Sequence, residues 1–137
     1  MTIINPAPIV SPGHGSPYRS YREGIDLSGT SPETNTIPAS GSLSPTGRTG
    51  KLCVKVYLGA GTSPTLVDLR VTATDGTTTS TVFEFAPAVA PALSSNGRVE
   101  LLIPFKCDMN FTSVSIITDL GGTSPTAELD ADLTWEP

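Results

Sequence analysis

Nine residues near the C-terminus, "AELDADLTW", constrain the fold more than any other stretch. Ala127, Leu129, Ala131, Leu133 and Trp135 alternate with Glu128, Asp130, Asp132 and Thr134. A period of two puts the apolar set on one face of an extended strand and the polar set on the other. A helix, at 3.6 residues per turn, would scatter both sets around its axis. The same grammar holds from Lys51 onward. In "KLCVKVYL", Leu52, Val54, Val56 and Leu58 alternate with Lys51, Cys53, Lys55 and Tyr57. "TLVDLRVTAT" turns Val67, Leu69, Val71 and Ala73 inward, and Asp75-Gly76 then makes a tight turn into "TTTSTVFEF", where Phe83 and Phe85 share a face. "APAVAPALSSNG" reads as a long Pro-rich loop. "RVELLIPF" aligns Val99, Leu101, Ile103 and Phe105, and "FTSVSIIT" offers Val114 and Ile116 to the core.

Six such strands, punctuated by turn signals, predict an all-β fold: an antiparallel β-sandwich, jelly-roll-like, in a single domain of this 137-residue chain. Thirteen Gly, thirteen Pro and abundant Thr and Ser suit strands and turns and disfavour long helices.

The first fifty residues follow no such pattern. Proline at 6, 8, 12, 17, 32, 38 and 45 biases each preceding residue toward extended geometry. No apolar period survives there for more than a few residues, so this part cannot build a core of its own. The expected organisation is an extended Pro/Gly/Ser-rich N-terminal arm over residues 1–48 and a β-sandwich domain over 49–137. One strand near 24–28, in "GIDLSG", is the arm's best contribution to the sheets.

The string GTSPT occupies Gly61–Thr65 and returns at Gly122–Thr126, with a near copy, GTSPE, at Gly29–Glu33. Glycines supply positive φ, proline sits where a missing N–H interrupts no ladder, and the hydroxyls close turns through the backbone. No charged, aromatic or metal-ligating side chain sits at the tip of the exact copies, so the repeat reads as architecture: a turn between consecutive strands, used twice. The third copy runs into "TNTIPAS", which reads as a corner in the arm rather than a strand.

Charge excludes some partners. The first fifty residues balance Arg19, Arg22 and Arg48 against Glu23, Asp26 and Glu33, so the whole formal charge of −5 falls on the remainder. An acidic body repels phosphate backbones, and no nucleic-acid partner is expected. No apolar run approaches a membrane span, and no secretory signal follows Met1. Synthesis in a reducing cytoplasm is therefore expected, with Cys53 and Cys107 as free thiols.

Chemistry is thinly supplied. The single histidine, His14 in "SPGHGSP", lies in the irregular arm with no nucleophile elbow to serve. No catalytic set and no cofactor is expected. Glu128, Asp130 and Asp132 share a strand face and are the only metal candidates. Residues two apart on a strand stand about 6–7 Å from one another, so the stripe does not converge on an ion by itself. A glycan platform needs exposed aromatics, whereas Trp135 and the phenylalanines fall on apolar faces. The most informative polar cluster is "PYRSYRE". Tyr18, Arg19, Tyr21 and Arg22 pair aromatic with guanidinium groups, the residue types that most often anchor protein interfaces, and the body's acidic excess offers partners in a neighbouring subunit.

Strands flanking GTSPT, its return as GGTSPT before a closing strand, and "GIDLSG" ahead of the first strand resemble small β-sandwich virion proteins of tailed bacteriophages. The family is the head decoration, or cement, proteins with a jelly-roll body, and the resemblance spans about residues 24–135. It implies a protein without catalysis that binds the major capsid protein and braces the head lattice. It implies self-association as a homodimer or homotrimer, and a place on the capsid surface after synthesis in the host bacterial cytoplasm. The alternative expectation is a receptor- or glycan-binding module of a tail or head fibre.

Overall fold

Strand pairings in this chain nest inside one another. The computed structural model describes residues 18–28, 31–58, 62, 64–87 and 98–137. Eight strands follow in order: β1 Arg19–Ser28, β2 Glu33–Ile37, β3 Gly47–Leu58, β4 Leu66–Thr74, β5 Thr79–Phe85, β6 Arg98–Phe111, β7 Ser113–Gly121 and β8 Thr126–Glu136. β1 pairs with β8, β2 with β7, β3 with β6 and β4 with β5, every pair antiparallel. That is one long hairpin. Rolling it up adds two more contacts, β3 with β8 and β4 with β7. The result is two four-stranded sheets, β1-β8-β3-β6 and β2-β7-β4-β5, stacked as an eight-stranded jelly roll.

The alternation read in the sequence sets the two inner faces. From the first sheet Leu52, Val54, Val56, Ile103, Leu129 and Leu133 point inward; from the second Val67, Leu69, Val71, Val114 and Ile116 meet them, all buried. β8 is the most regular strand, with every second residue buried from Ala127 to Trp135. Each fully buried aliphatic side chain contributes on the order of 1.5–3 kcal/mol.

Residues 19–37 hold more structure than expected. Besides the strand foreseen near 24–28, which runs from Arg19, the segment "ETNTI" is also a strand, correcting its reading as a corner. β1 and β2 lie at the edges of the two sheets, one on each. Leu27 and Ile37 reach the core, and Thr36 shares a hydroxyl hydrogen bond with Ser115 at 2.9 Å. The boundary at 48/49 falls inside β3, so the described residues from Tyr18 to Arg48 belong to the sandwich. Residues 1–17, His14 among them, lie outside the described residues.

GTSPT is also corrected in one respect. It does not join neighbours in a sheet. β3 and β4 belong to different sheets, as do β7 and β8, so each copy carries the chain across the sandwich. The two crossings lie side by side. Thr62 and Pro125 form an isolated bridge, Thr126 N–H donates to the Thr62 carbonyl at 2.8 Å, and Thr65 N–H donates to the Gly121 carbonyl at 2.9 Å. Pro64 and Pro125 are both buried. Gly122 has φ 114°, which a side chain would resist. Asp75-Gly76, by contrast, does turn a hairpin, β4 to β5, with Gly76 at φ 98°.

Candidate interaction face

The outer face of the β1-β8-β3-β6 sheet gathers most of the residues singled out in the sequence. Alternation divides the "YRSYR" cluster between the two sides of β1. Arg19 and Tyr21 point outward; Tyr18 and Arg22 point toward the other sheet. Tyr18 packs on Trp135, ring centroids 5.9 Å apart, and Arg22 Nη1 donates to the Thr36 carbonyl at 3.2 Å, tying β1 to β2 across the gap. Arg19 forms a two-pronged pair with Asp132, Nε to Oδ1 at 2.9 Å and Nη2 to Oδ2 at 2.7 Å. Its guanidinium also lies 5.0 Å from the ring centroid of Tyr21. The acidic partner expected in a neighbouring subunit is thus supplied to Arg19 by its own chain. The bond to Asp132 holds the Arg19 pKa above its ordinary value.

The acidic stripe on β8 has internal work. Asp132 receives Arg19. Asp130 Oδ1 accepts from Gly24 N–H at 2.8 Å and from the Tyr57 hydroxyl at 3.1 Å. Gly24, at φ 63°, sits in a bulge between Arg22 and Ile25 that brings its N–H over the stripe. Burial, then the hydrogen bond to Asp130, push the Tyr57 phenol up to about 12. Among the described residues no group of three or more His, Cys, Asp or Glu is disposed to hold a metal ion. Asp130 and Asp132 instead fasten an edge strand to its neighbour.

Register arranges this face in rows across the sheet, four of which reach β1. Cα partners place Arg19, Thr134, Lys51 and Pro104 in the first row and Tyr21, Asp132, Cys53 and Leu102 in the second. The bulge, Asp130, Lys55 and Glu100 form the third; Asp26, Glu128, Tyr57 and Arg98 form the fourth. Tyr21 at 57% and Leu102 at 62% exposure are the large hydrophobic side chains left in solvent among the described residues. They terminate the same row. Leu102 was missed in the sequence, although "LLI" carries its signal: an apolar residue out of phase with the inward set.

Arg98 and Glu100 pair at 2.8 Å, which raises the arginine pKa and lowers that of the carboxyl. Lys51 and Lys55 make no ion pair with the described residues. Cys53 is exposed and Cys107 buried, both as free thiols, and burial raises the pKa of the latter.

On the other sheet, Asp68 stands directly opposite Asp119, and its Oδ1 is buried with no hydrogen-bond partner. Together with Arg70, Glu84 and Phe85 these two line a shallow groove. Of the aromatics a glycan platform would use, Trp135 is buried, the hydroxyl of Tyr57 is taken by Asp130, and Tyr21 is exposed with Arg19 against its ring. Among the described residues no helix is long and apolar enough to cross a membrane.

No family model matches the chain, and no curated protein matches it. Among solved structures, the chain is similar over 85% of its length to the crystal structure of the infectious bursal disease virus VP2 subviral particle, with 11% identity and a TM-score of 0.37. It covers 29% of that chain, less than a third. A likeness at that score assigns no role.

Proposed function

We propose that this protein is a structural component of a virion, a decoration or cement protein that adds to a phage head and braces its lattice. The sandwich is the rigid body, and the Pro-rich leader over residues 1–17 is the segment that reaches the major capsid protein. One observation carries this reading. The leader joins the fold at an edge strand whose first residues are fixed twice to β8, Tyr18 on Trp135 and Arg19 on Asp132. β8 is in turn paired along its length with β3. Tension on the leader therefore passes as shear into the middle of a sheet, where many ladder hydrogen bonds share it, rather than into a loop. Weak binding by one leader gains from many copies on one lattice.

The test is deletion of residues 1–17, which spares β1 and β2. The expected result is a variant with the melting temperature of the full chain that no longer adds to purified heads. Full occupancy by this variant would overturn the reading. Removal of residues 1–48 would be uninformative, since it strips the edge strand from each sheet.

A further inference from the structure

From the register of the β1-β8-β3-β6 sheet we infer that its outer face is a twofold interface with a second copy of this chain. The inference is independent of the virion role. A twofold axis lying in the interface, parallel to the strands and between β8 and β3, sets β8 over the second copy's β3 and β1 over its β6. Such an axis keeps each row at its own height, so every row meets itself reversed. The ends of each row then face each other across the interface.

Those facing pairs complement one another. In the second row Tyr21 meets the second copy's Leu102, so the two exposed hydrophobic side chains cover each other twice. In the fourth row Asp26 meets the second copy's Arg98, and in the third Asp130 meets its Lys55. Within one chain Asp26 and Arg98 stand three strand spacings apart, about 14 Å, so neither serves the other there. One like-charge encounter, Glu23 near the second copy's Glu100, falls at the bulge, where Arg98 already pairs with Glu100. Four strands at about 4.8 Å and four rows at about 6.7 Å give a face of roughly 500 Å² in projection. That area lies at the small end of specific interfaces, and an association in the micromolar range is expected.

Three measurements test this on the full chain. Sedimentation equilibrium from about 1 to 200 μM should show a monomer–dimer equilibrium with a micromolar midpoint. Leu102→Glu, folded by circular dichroism, should remain monomeric throughout. Asp26→Arg and Arg98→Asp should each weaken association at least about tenfold, and an equimolar mixture of the two should recover it, because each mutant charge then finds its opposite on the other chain. Facing sheets stand about 10 Å apart, which leaves the two Cys53 Cα atoms at about 11 Å. A bismaleimide of that span should therefore crosslink the dimer, while oxidation should not, since a disulfide needs less than about 7 Å. A monomer at 200 μM, a trimer, a dimer indifferent to Leu102→Glu, or a mixture that fails to recover would each overturn the proposal.

Discussion

Gly50 lies flat against the ring of Phe105: a Cβ built on it would stand 2.5 Å from Cζ. Gly47 meets Phe111 in the same way, and the two rings contact each other with centroids 5.4 Å apart. The glycines at the start of β3 are thus the floor on which an aromatic pair closes one end of the core. Gly50→Ala should destabilise the protein by about 1–3 kcal/mol through overpacking, with Gly47→Ala behaving alike. Pairing Gly50→Ala with Phe105→Leu should recover part of the loss, because the smaller side chain vacates the space the methyl needs. Urea denaturation of the two singles and the double measures this; strict additivity would show that the ring is not the obstacle.

Leu133 is fully buried in the middle of β8, opposite Leu52 across the sheet. Leu133→Ala should cost about 2–5 kcal/mol in denaturant unfolding, the transfer term plus a cavity that rigid strands on both sides cannot collapse. Thr134→Ala, one residue on and facing outward, should change stability by less than about 0.5 kcal/mol.

These two sites mark what the sequence discloses and what it hides. Leu133 was legible, because in β8 nothing competes with alternation. The start of β3 was not: "SPTGRTG" lacks side chains that alternate, and its glycines act through what approaches them. β2 escaped for a related reason. "ETNTI" carries one core residue, Ile37, and otherwise a carboxylate, two hydroxyls and an amide, so its identity comes from β7 and not from its own pattern. GTSPT was recognised as a turn, yet local sequence cannot say whether the next strand pairs with the last or crosses to the other sheet. The same limit holds for the candidate face. Tyr18, Arg19, Tyr21 and Arg22 were found as a group, while only the register of β1 against β8 shows that the first and last turn inward and that Arg19 is claimed by Asp132. Leu102 becomes notable only once its row ends are known.

Tyr57 gives the protein a signature in alkali. Its folded pKa, about 12, lies above the ordinary phenol value near 10. A group raised in the fold contributes stability that is complete below its unfolded pKa and is lost as pH climbs through the folded one. The stability of the wild type should therefore fall between about pH 10 and 12 more steeply than that of Tyr57→Phe, in melts taken across that range. Absorbance titration near 295 nm should lose a late step in the variant. Identical alkaline slopes for the two proteins would show that burial and the bond to Asp130 do not hold the phenol in its neutral form.

Gly24 obeys a different rule from Gly50. Nothing lies closer to a Cβ built on it than Glu128 Oε1 at 4.0 Å, so space is not the constraint. Its φ of 63° is, and so is the N–H it gives to Asp130. Gly24→Ala should cost about 1 kcal/mol or more from the left-handed backbone alone. No trimming of neighbours should recover that loss, whereas Gly24→Asn, which tolerates the region better, should recover part of it. Amide hydrogen exchange supplies the spatial readout: protection should fall first along β1, from Arg22 to Leu27, while β3 and β6 stay protected. Uniform loss across both sheets would mean that the bulge supports the whole fold rather than seating one edge strand on its acidic neighbour.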